Sequence, residues 1–348
     1  MNVERAVCIL AAASLLATAS CSHGAPSTTG PSAAPNAITL FALNAQKHDD
    51  DEDRWPGDIT KGPDGALWFT ELNGGSVGRI ATSPLGQVRE WRIHARAIDA
   101  RPGSIVLGKD GALWFTINNF HEIGRITTAG KITEYSAGED IHPAGIAAGP
   151  DGALWFTAPT SHLIGRITTS GKLTHYPVRG AQMFPQNITV GPDGALWFTE
   201  RTGGIGRITS SGAVTQFPVH PPKGRPLFGI VSGADHALWF TEPNAKMIGR
   251  MTTSGKITEY AVPSGYPTSI TASPDGALWF SAISPTSVGR IDTSGAIAQY
   301  PLASSFDKPG AIVAGPDGAM WFTIYSSDKI GRLVPQLPAK TVSLERLP

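Results

Sequence analysis

The sequence predicts an all-β protein: a seven-bladed β-propeller of four-stranded blades, with its ring closed by an N-terminal strand. Two motifs repeat in step along the chain. Near-copies of GPDGALWFTE (residues 191–200) place tryptophans at Trp68, Trp114, Trp155, Trp197, Trp239, Trp279 and Trp321. A Gly-Arg pair followed by an apolar residue places arginines at Arg79, Arg125, Arg166, Arg207, Arg250, Arg290 and Arg332. A period near 40 residues with several short strands per unit is typical of propeller blades.

The first 20 residues predict a signal peptide. Arg5 precedes an uncharged apolar run that extends from Ala6 to Ala19, too short to span a membrane as a helix. The stretch TASC is similar to a bacterial lipoprotein box, so we expect Cys21 to be lipidated and to become the new N-terminus. The predicted location is the bacterial cell envelope, periplasmic or surface, with the protein held by this lipid. Ordinary secretion with an unpaired thiol is the alternative.

We expect residues 21–36 to comprise the lipidated cysteine and a flexible Pro/Ser tether, and residues 37–348 to form the propeller. The segment AITLFAL (37–43) resembles KITEYAV (256–262), a fourth strand in its own repeat. We therefore expect residues 37–43 to supply the outer strand of blade seven. The segment KTVSLERLP (340–348) has the same alternating pattern and remains the competing candidate.

Each repeat divides into four strands, as the fourth copy illustrates. QNITV, ALWFTE, GIGRIT and AVTQFPV are short, rich in β-branched and aromatic residues, and separated by Gly, Pro, Asp and Ser. The Asp-Gly pair suits a turn that needs positive φ. The repeated Trp, Phe and Arg side chains are predicted to pack and to tie the blades together.

Composition excludes one class of partner. The formal net charge is zero and the pI is about 7.1, whereas a nucleic-acid-binding protein would present a strongly basic face. We expect no nucleic-acid partner, a monomer, and no contact with a membrane except through the lipid.

The repeated GPDGALWFTE and IGRITTSGKITEY motifs resemble those of the streptogramin lyases (virginiamycin B lyase), over residues 37 to about 334. These motifs are architectural and carry no chemistry. The resemblance implies a seven-bladed propeller that opens a cyclic depsipeptide by elimination. In that family two glutamates hold a magnesium ion, one histidine acts as the base and a second histidine contacts the substrate.

The positions that carry this chemistry are substituted in this chain. Thr268 stands at the substrate histidine, Lys308 at the first metal glutamate, Gly310 at the base, and Tyr325 at the second glutamate. A lysine repels Mg²⁺, and glycine accepts no proton. We therefore predict a ligand-binding, non-catalytic relative without a cofactor. An active carbon–oxygen lyase that opens a cyclic depsipeptide or lactone at a relocated site, and keeps Mg²⁺, is the alternative. The sequence does not distinguish the ligand-binding relative from a scaffold for other envelope proteins.

Residues next to the proline of each first strand are expected around the mouth of the central channel. Their cations and aromatic rings predict a binding site for a small molecule or a peptide. The candidate ligand-binding residues are Arg101, His142, Arg225, Tyr266 and Lys308, with Trp55 and Phe184 between them. The alternative is that these cations pair with Glu71, Glu200 and Glu242, which follow the WFT motif.

Two further groups could hold a cation. His121, His142 and His162 come from adjoining loops and could bind a transition metal such as zinc, or be ordinary exposed histidines. The run HDDDED (48–53) could bind Ca²⁺, or be a solvated loop.

Overall fold

The computed structural model describes residues 37–43, 54–93, 100–178, 184–219 and 225–335. They form seven antiparallel sheets of four strands each, in agreement with the predicted propeller. The helical elements within these ranges are two single 3₁₀ turns, Asn118–Phe120 and Pro243–Ala245. No helix in the described ranges is long and apolar enough to cross a membrane. The predicted signal peptide, Cys21, the tether and the acidic run at 48–53 lie outside them.

The strands follow the same order in every blade, from the channel outward. The first strands are β2 (Pro56–Lys61), β6 (Pro102–Leu107), β10 (Ile146–Ala148), β14 (Pro185–Val190), β18 (Ile230–Ser232), β22 (Tyr266–Ala272) and β26 (Pro309–Ala314). The second strands are β3 (Leu67–Glu71), β7 (Leu113–Ile117), β11 (Leu154–Ala158), β15 (Leu196–Glu200), β19 (Leu238–Glu242), β23 (Leu278–Ile283) and β27 (Met320–Ile324).

The outer half of each blade continues this order. The third strands are β4 (Ser76–Thr82), β8 (Glu122–Ile126), β12 (Leu163–Ile167), β16 (Gly204–Ile208), β20 (Met247–Met251), β24 (Ser287–Ile291) and β28 (Lys329–Leu333). The fourth strands are β5 (Leu85–Arg92), β9 (Ile132–Ser136), β13 (Leu173–Pro177), β17 (Val214–Pro218), β21 (Ile257–Ala261), β25 (Ile297–Pro301) and, for blade seven, β1 (Ile38–Ala42).

The ring closes through the N-terminal strand, as predicted. β1 pairs antiparallel with β28 from Ile38↔Leu333 to Ala42↔Lys329. Phe41 stacks on Trp321 with ring centroids 5.4 Å apart, the same contact that Tyr260 makes with Trp239 in blade five. This shared aromatic contact explains why the two segments look alike in the sequence. The competing segment, 340–348, lies outside the described residues.

A buried tryptophan organises each blade. In six blades its indole N–H donates to one oxygen of the turn aspartate at 2.9–3.1 Å. The other oxygen of that aspartate accepts from the arginine of the Gly-Arg motif. The Gly-Arg glycine leaves room for the WFT phenylalanine, since a Cβ on Gly78 would lie 2.1 Å from the Phe69 ring. The motif is therefore a packing unit, as the sequence analysis inferred.

Blade six departs from this pattern. Ser273 replaces the glycine that opens the turn, where a Cβ in the other blades would lie 2.2–2.6 Å from the tryptophan ring. The Trp279 indole N–H is buried without a hydrogen-bond partner. Asp275 instead accepts from Arg290 Nη2 at 2.8 Å and from the Ser273 hydroxyl. The serine side chain, through its Cβ and its hydroxyl, thus accounts for the loss of the indole bond.

The blades are joined by hydroxyl groups as well as by buried clusters that combine the tryptophan of one blade with the phenylalanine of the next. The Thr of each WFT motif, or Ser281 in blade six, donates to a carbonyl of the next blade at 2.5–2.9 Å. The same oxygen accepts a backbone N–H from a residue in, or directly before, the first strand of its own blade. Seven such bridges complete the ring, and Thr323 makes the one to Gly57 across the seam.

Candidate functional site

The first strands of all seven blades surround a central cavity of about 700 Å³. In five blades a register shift follows the proline, between Pro56 and Ile59 for example, so that the ladder is interrupted there. The residues inside these shifts, such as Gly57 and Asp58, line the cavity. The site is therefore built from the short segment that follows each proline.

Three of the four lyase-equivalent residues line this cavity: Thr268, Gly310 and Tyr325. The Thr268 hydroxyl shares a hydrogen bond with Ser281 Oγ at 2.9 Å. A Cβ at Gly310 would lie 2.6 Å from Thr323 Oγ1 and 3.4 Å from the Tyr325 ring. Burial raises the pKa of the Tyr325 phenol, so it stays neutral at physiological pH. Lys308 is exposed outside the lining, with its backbone N–H bound to Ser326 Oγ at 2.8 Å.

These four residues do not fit a magnesium ion. Mg²⁺ takes oxygen ligands in octahedral geometry, usually including a carboxylate. The positions offer an ammonium group, a neutral phenol, a hydroxyl already engaged with Ser281, and no side chain. Within the described ranges no group of three His, Cys, Asp or Glu residues is arranged to hold a metal.

The predicted ligand residues fall into two sets. Arg101 is exposed and lines the cavity, whereas His142, Arg225, Tyr266 and Lys308 do not contribute to its lining. Arg225, Tyr266 and Lys308 are exposed. They stand next to the buried first-strand segment and so surround the entrance instead of the cavity wall.

The entrance is built from contacts between successive blades. The residue four before a blade's arginine meets the residue before the next blade's proline. Lys246 Nζ lies 4.8 Å from the centre of the Tyr266 ring, and the Trp55 N–H donates to Asp328 at 3.0 Å. Lys246 and Asp328 both have positive φ. Tyr266 and Trp55 remain 36% and 45% exposed, so their rings are accessible at the entrance.

The three histidines follow the same rule, which brings two of them together. His121 and His142 have ring centroids 4.2 Å apart, and His142 Nδ1 lies 3.2 Å from the Asn118 carbonyl. His162 instead packs against Phe184, with centroids at 4.8 Å, because it belongs to the next blade junction.

The glutamates after the WFT motif are buried beneath the entrance. Glu71, Glu200 and Glu242 are 1%, 6% and 0% exposed. Burial raises the pKa of Glu71 to about 8, with Glu90 nearby adding to the shift, and burial raises that of Glu200 to about 7. Glu71 lies 3.8 Å from Arg54, which also pairs with Glu90. The cation beside Glu71 is thus Arg54, which the sequence analysis did not single out.

Asp58 is the cavity carboxylate that sequence reasoning missed. Its Oδ2 accepts from Ser104 Oγ at 2.7 Å and from the Ile105 N–H at 2.9 Å, and its Oδ1 accepts from the Ile59 N–H at 2.8 Å. Burial raises the pKa of Asp58 against these hydrogen bonds. The signal was present in the first strands, which read PGDI in blade one but PGSI and PGAI in blades two and seven.

Known proteins share this architecture. The sequence profile of the virginiamycin B lyase family matches residues 45–265 and 200–345. A streptogramin B lyase structure is 34% identical, with a TM-score of 0.78 over 85% of this chain and 97% of that one. No curated protein sequence matches this chain.

Two further structures show the range of the similarity. A catalytically inactive variant of virginiamycin B lyase from Staphylococcus aureus, solved with quinupristin, is 36% identical, with a TM-score of 0.77 over 85% of this chain and 99% of that one. The extracellular domain of a hybrid two-component system from B. thetaiotaomicron is 15% identical, with a TM-score of 0.67 over 86% of this chain and 43% of that one. The latter similarity concerns the fold alone.

Proposed function

The chain belongs to the virginiamycin B lyase family, and on that premise we propose that it is a ligand-binding member without the family's elimination chemistry. The observation that carries this proposal is the set of groups at the four reactive positions. Thr268, Gly310 and Tyr325 give the cavity a bonded hydroxyl, an empty position and a neutral phenol. None of these groups is a base at neutral pH, and none is a carboxylate for Mg²⁺.

The ligand that we propose is a small molecule or peptide at the channel mouth. Arg101 lies on the cavity lining and can donate to an anionic or carbonyl oxygen. Trp55, Tyr266 and Phe228 are exposed, and Phe228 also lines the cavity. Exposed aromatic rings with a cation among them suit a ligand that combines apolar surface with a few polar groups.

A relocated lyase site is the second candidate, and Asp58 is the observation that favours it. Its carboxyl group lines the cavity, and its raised pKa brings it closer to the range of a general base. Against this candidate, three donors already occupy its oxygens. If elimination occurs, Asp58→Asn should abolish it while leaving ligand binding in place.

The place of action that we propose is the bacterial cell envelope, with export through residues 1–20 and a lipid on Cys21. The sequence alone supports this part, through the apolar run and the TASC stretch. The tether then allows a monomeric propeller to collect ligand near the membrane.

The binding proposal is tested with quinupristin as the probe, because a relative was solved with this compound. Trp55 is exposed at the entrance, so saturable fluorescence quenching should report occupancy, and Trp55→Phe should remove much of the signal. Arg101→Ala should weaken binding about tenfold, the cost of one charge-assisted hydrogen bond. Lys172→Ala, an exposed change in blade three, is the matched control. Equal affinities for wild type and Arg101→Ala would remove Arg101 from the site.

A further inference from the structure

A second cleft, of about 640 Å³, lies between blades one and two. Its walls include Asp64 from the β2–β3 turn and Thr128 from the β8–β9 turn. In an antiparallel blade these turns lie at the end opposite the β3–β4 loops, where Leu72 lines the central cavity. The cleft is thus on the face of the propeller away from the channel mouth.

Two arginines stand opposite each other on neighbouring strands of this cleft. Arg79 on β4 is directly paired with Arg89 on β5. The other six blades place no second cation there, since the partners of their motif arginines are Thr133, Thr174, Thr215, Thr258, Ala298 and Thr39. Like charges directly opposite each other destabilise a sheet unless something neutralises them. Blade one therefore differs from the other blades in a way that favours the binding of an anion.

The carboxylate next to these arginines, Asp64, is already engaged in hydrogen bonds. Asp64 Oδ2 accepts from Arg79 Nε at 2.6 Å, and Oδ1 accepts from the Trp68 indole at 3.1 Å. Burial acts to raise the pKa of Asp64, but these hydrogen bonds outweigh it and hold the pKa below its usual range. Asp64 is therefore ionised at neutral pH. In the described part of the chain no carboxylate forms an ion pair with Arg89, which is exposed. Two guanidinium charges thus face one carboxylate.

The remaining walls supply hydrogen-bond donors and a rigid side. Gln87 and Thr128 are exposed in the cleft and offer an amide and a hydroxyl. Trp91 stacks on Trp68 with centroids 5.0 Å apart and lies against Gly130, where a Cβ would come within 1.9 Å of its indole nitrogen. The aromatic wall is therefore held in place from both sides.

We propose that this cleft binds a phosphate group between Arg79 and Arg89. A guanidinium presents parallel N–H donors that match phosphate oxygens, and two of them can share one dianion. The phosphate belongs either to a soluble phosphate ester or to a phospholipid headgroup. The chain enters the propeller on the same face, because β1 begins with Ile38 opposite Leu333, at the end of β28 next to the fourth-strand turn.

The experiment titrates the full-length protein with inorganic phosphate at constant ionic strength, followed by calorimetry or ³¹P line width. Arg89→Thr is the informative variant, since five other blades carry threonine at this position and the hairpin should fold. Arg89→Thr should weaken phosphate binding at least tenfold, while Lys172→Thr, which removes an exposed cation from blade three, should leave it unchanged. Equal phosphate affinity in wild type and Arg89→Thr, or no saturable binding by wild type below about 50 mM, would overturn the proposal.

A second arm distinguishes the two sources of phosphate. Vesicles of phosphatidylcholine and phosphatidylglycerol are sedimented with wild type and with Arg89→Thr, and any lipid on the protein contributes equally to both. A headgroup ligand predicts less sedimentation of the variant and competition by free phosphate. Equal sedimentation, together with the loss of phosphate binding by the variant, identifies a soluble phosphate ester.

Discussion

Replacement of Thr323 by valine should weaken the seam of the ring. The Thr323 hydroxyl donates to the Gly57 carbonyl at 2.9 Å and accepts the Ala311 N–H at 3.0 Å, and its side chain is fully buried. Valine keeps the shape but removes both bonds. Each bond contributes about 1 kcal/mol, and a buried N–H left without a partner costs a further 1–3 kcal/mol. The expected loss of stability is therefore about 3–5 kcal/mol.

The control is Thr323→Ser, which keeps the hydroxyl. Ser281 of blade six already makes both contacts, at 2.6 Å to the Gly310 carbonyl and 3.2 Å from the Ser269 N–H. Thr323→Ser should thus cost only the buried methyl group, about 1 kcal/mol. Thr157→Val, away from the seam, should resemble Thr323→Val because its hydroxyl makes the same two contacts.

The assay is equilibrium unfolding in urea, followed by both tryptophan fluorescence and circular dichroism. Free energies are comparable only if the two transitions coincide, which establishes two-state behaviour for this ring. If Thr323→Val and Thr323→Ser fell within about 0.5 kcal/mol of each other, the hydroxyl bridge would not contribute to holding the seam together.

Three other predictions follow from the same contacts. Gly191→Ser should cost about 1–3 kcal/mol by displacing Trp197 from Asp193, as Ser273 does in blade six, whereas Ser273→Gly should cost nothing; a neutral Gly191→Ser in thermal unfolding would refute this. Because the pKa of Glu71 is raised to about 8 from an ordinary 4.5, its contribution to stability is complete below pH 4.5 and is lost as the pH rises through 8. Wild type should therefore lose on the order of 2–4 kcal/mol more unfolding free energy between pH 4.5 and pH 8 than Glu71→Gln does, whereas the exposed Glu139→Gln should behave like wild type. The same pH dependence in wild type and Glu71→Gln would show that Glu71 is not the titrating group. Cys21→Ser should shift the protein from the membrane fraction to the soluble fraction, and an unchanged distribution would argue against lipidation.

The fold was predictable because the repeats specify it seven times over. The closing strand was also predictable, since Phe41 meets the same requirement as Tyr260, an aromatic ring to cover the blade tryptophan. The sequence analysis gave the role of tying the blades together to Trp, Phe and Arg. Trp and Phe do share buried clusters across the blade boundaries, as Trp155 does with Phe198, whereas the motif arginines pair within their own blade and the hydroxyl bridges were missed. Thr323 and its counterparts repeat just as regularly, but their acceptors are backbone carbonyls, which leave no pattern in a sequence.

The candidate site was predictable only in part. The segments that follow each proline do line the cavity, yet only Arg101 among the predicted ligand residues reaches it. Whether a residue before the proline faces inward depends on its contact with the preceding blade, as for Tyr266 with Lys246. Likewise, the pairing of Arg79 with Arg89 depends on strand register, which becomes visible only once the ladder is known.

Incubation of quinupristin with an equimolar amount of the protein in excess Mg²⁺ distinguishes a binding protein from an active lyase. Elimination breaks the ester C–O bond without adding water, so a linear product would have the same mass and a different chromatographic retention, whereas hydrolysis would add the mass of water. A general base alone contributes about 10²–10⁴-fold to such a reaction, and Gly310 supplies none. We expect the antibiotic to remain cyclic, as in buffer alone, while the S. aureus enzyme linearises it in parallel. Magnesium-dependent formation of the linear isomer by this protein would show that it is an active lyase.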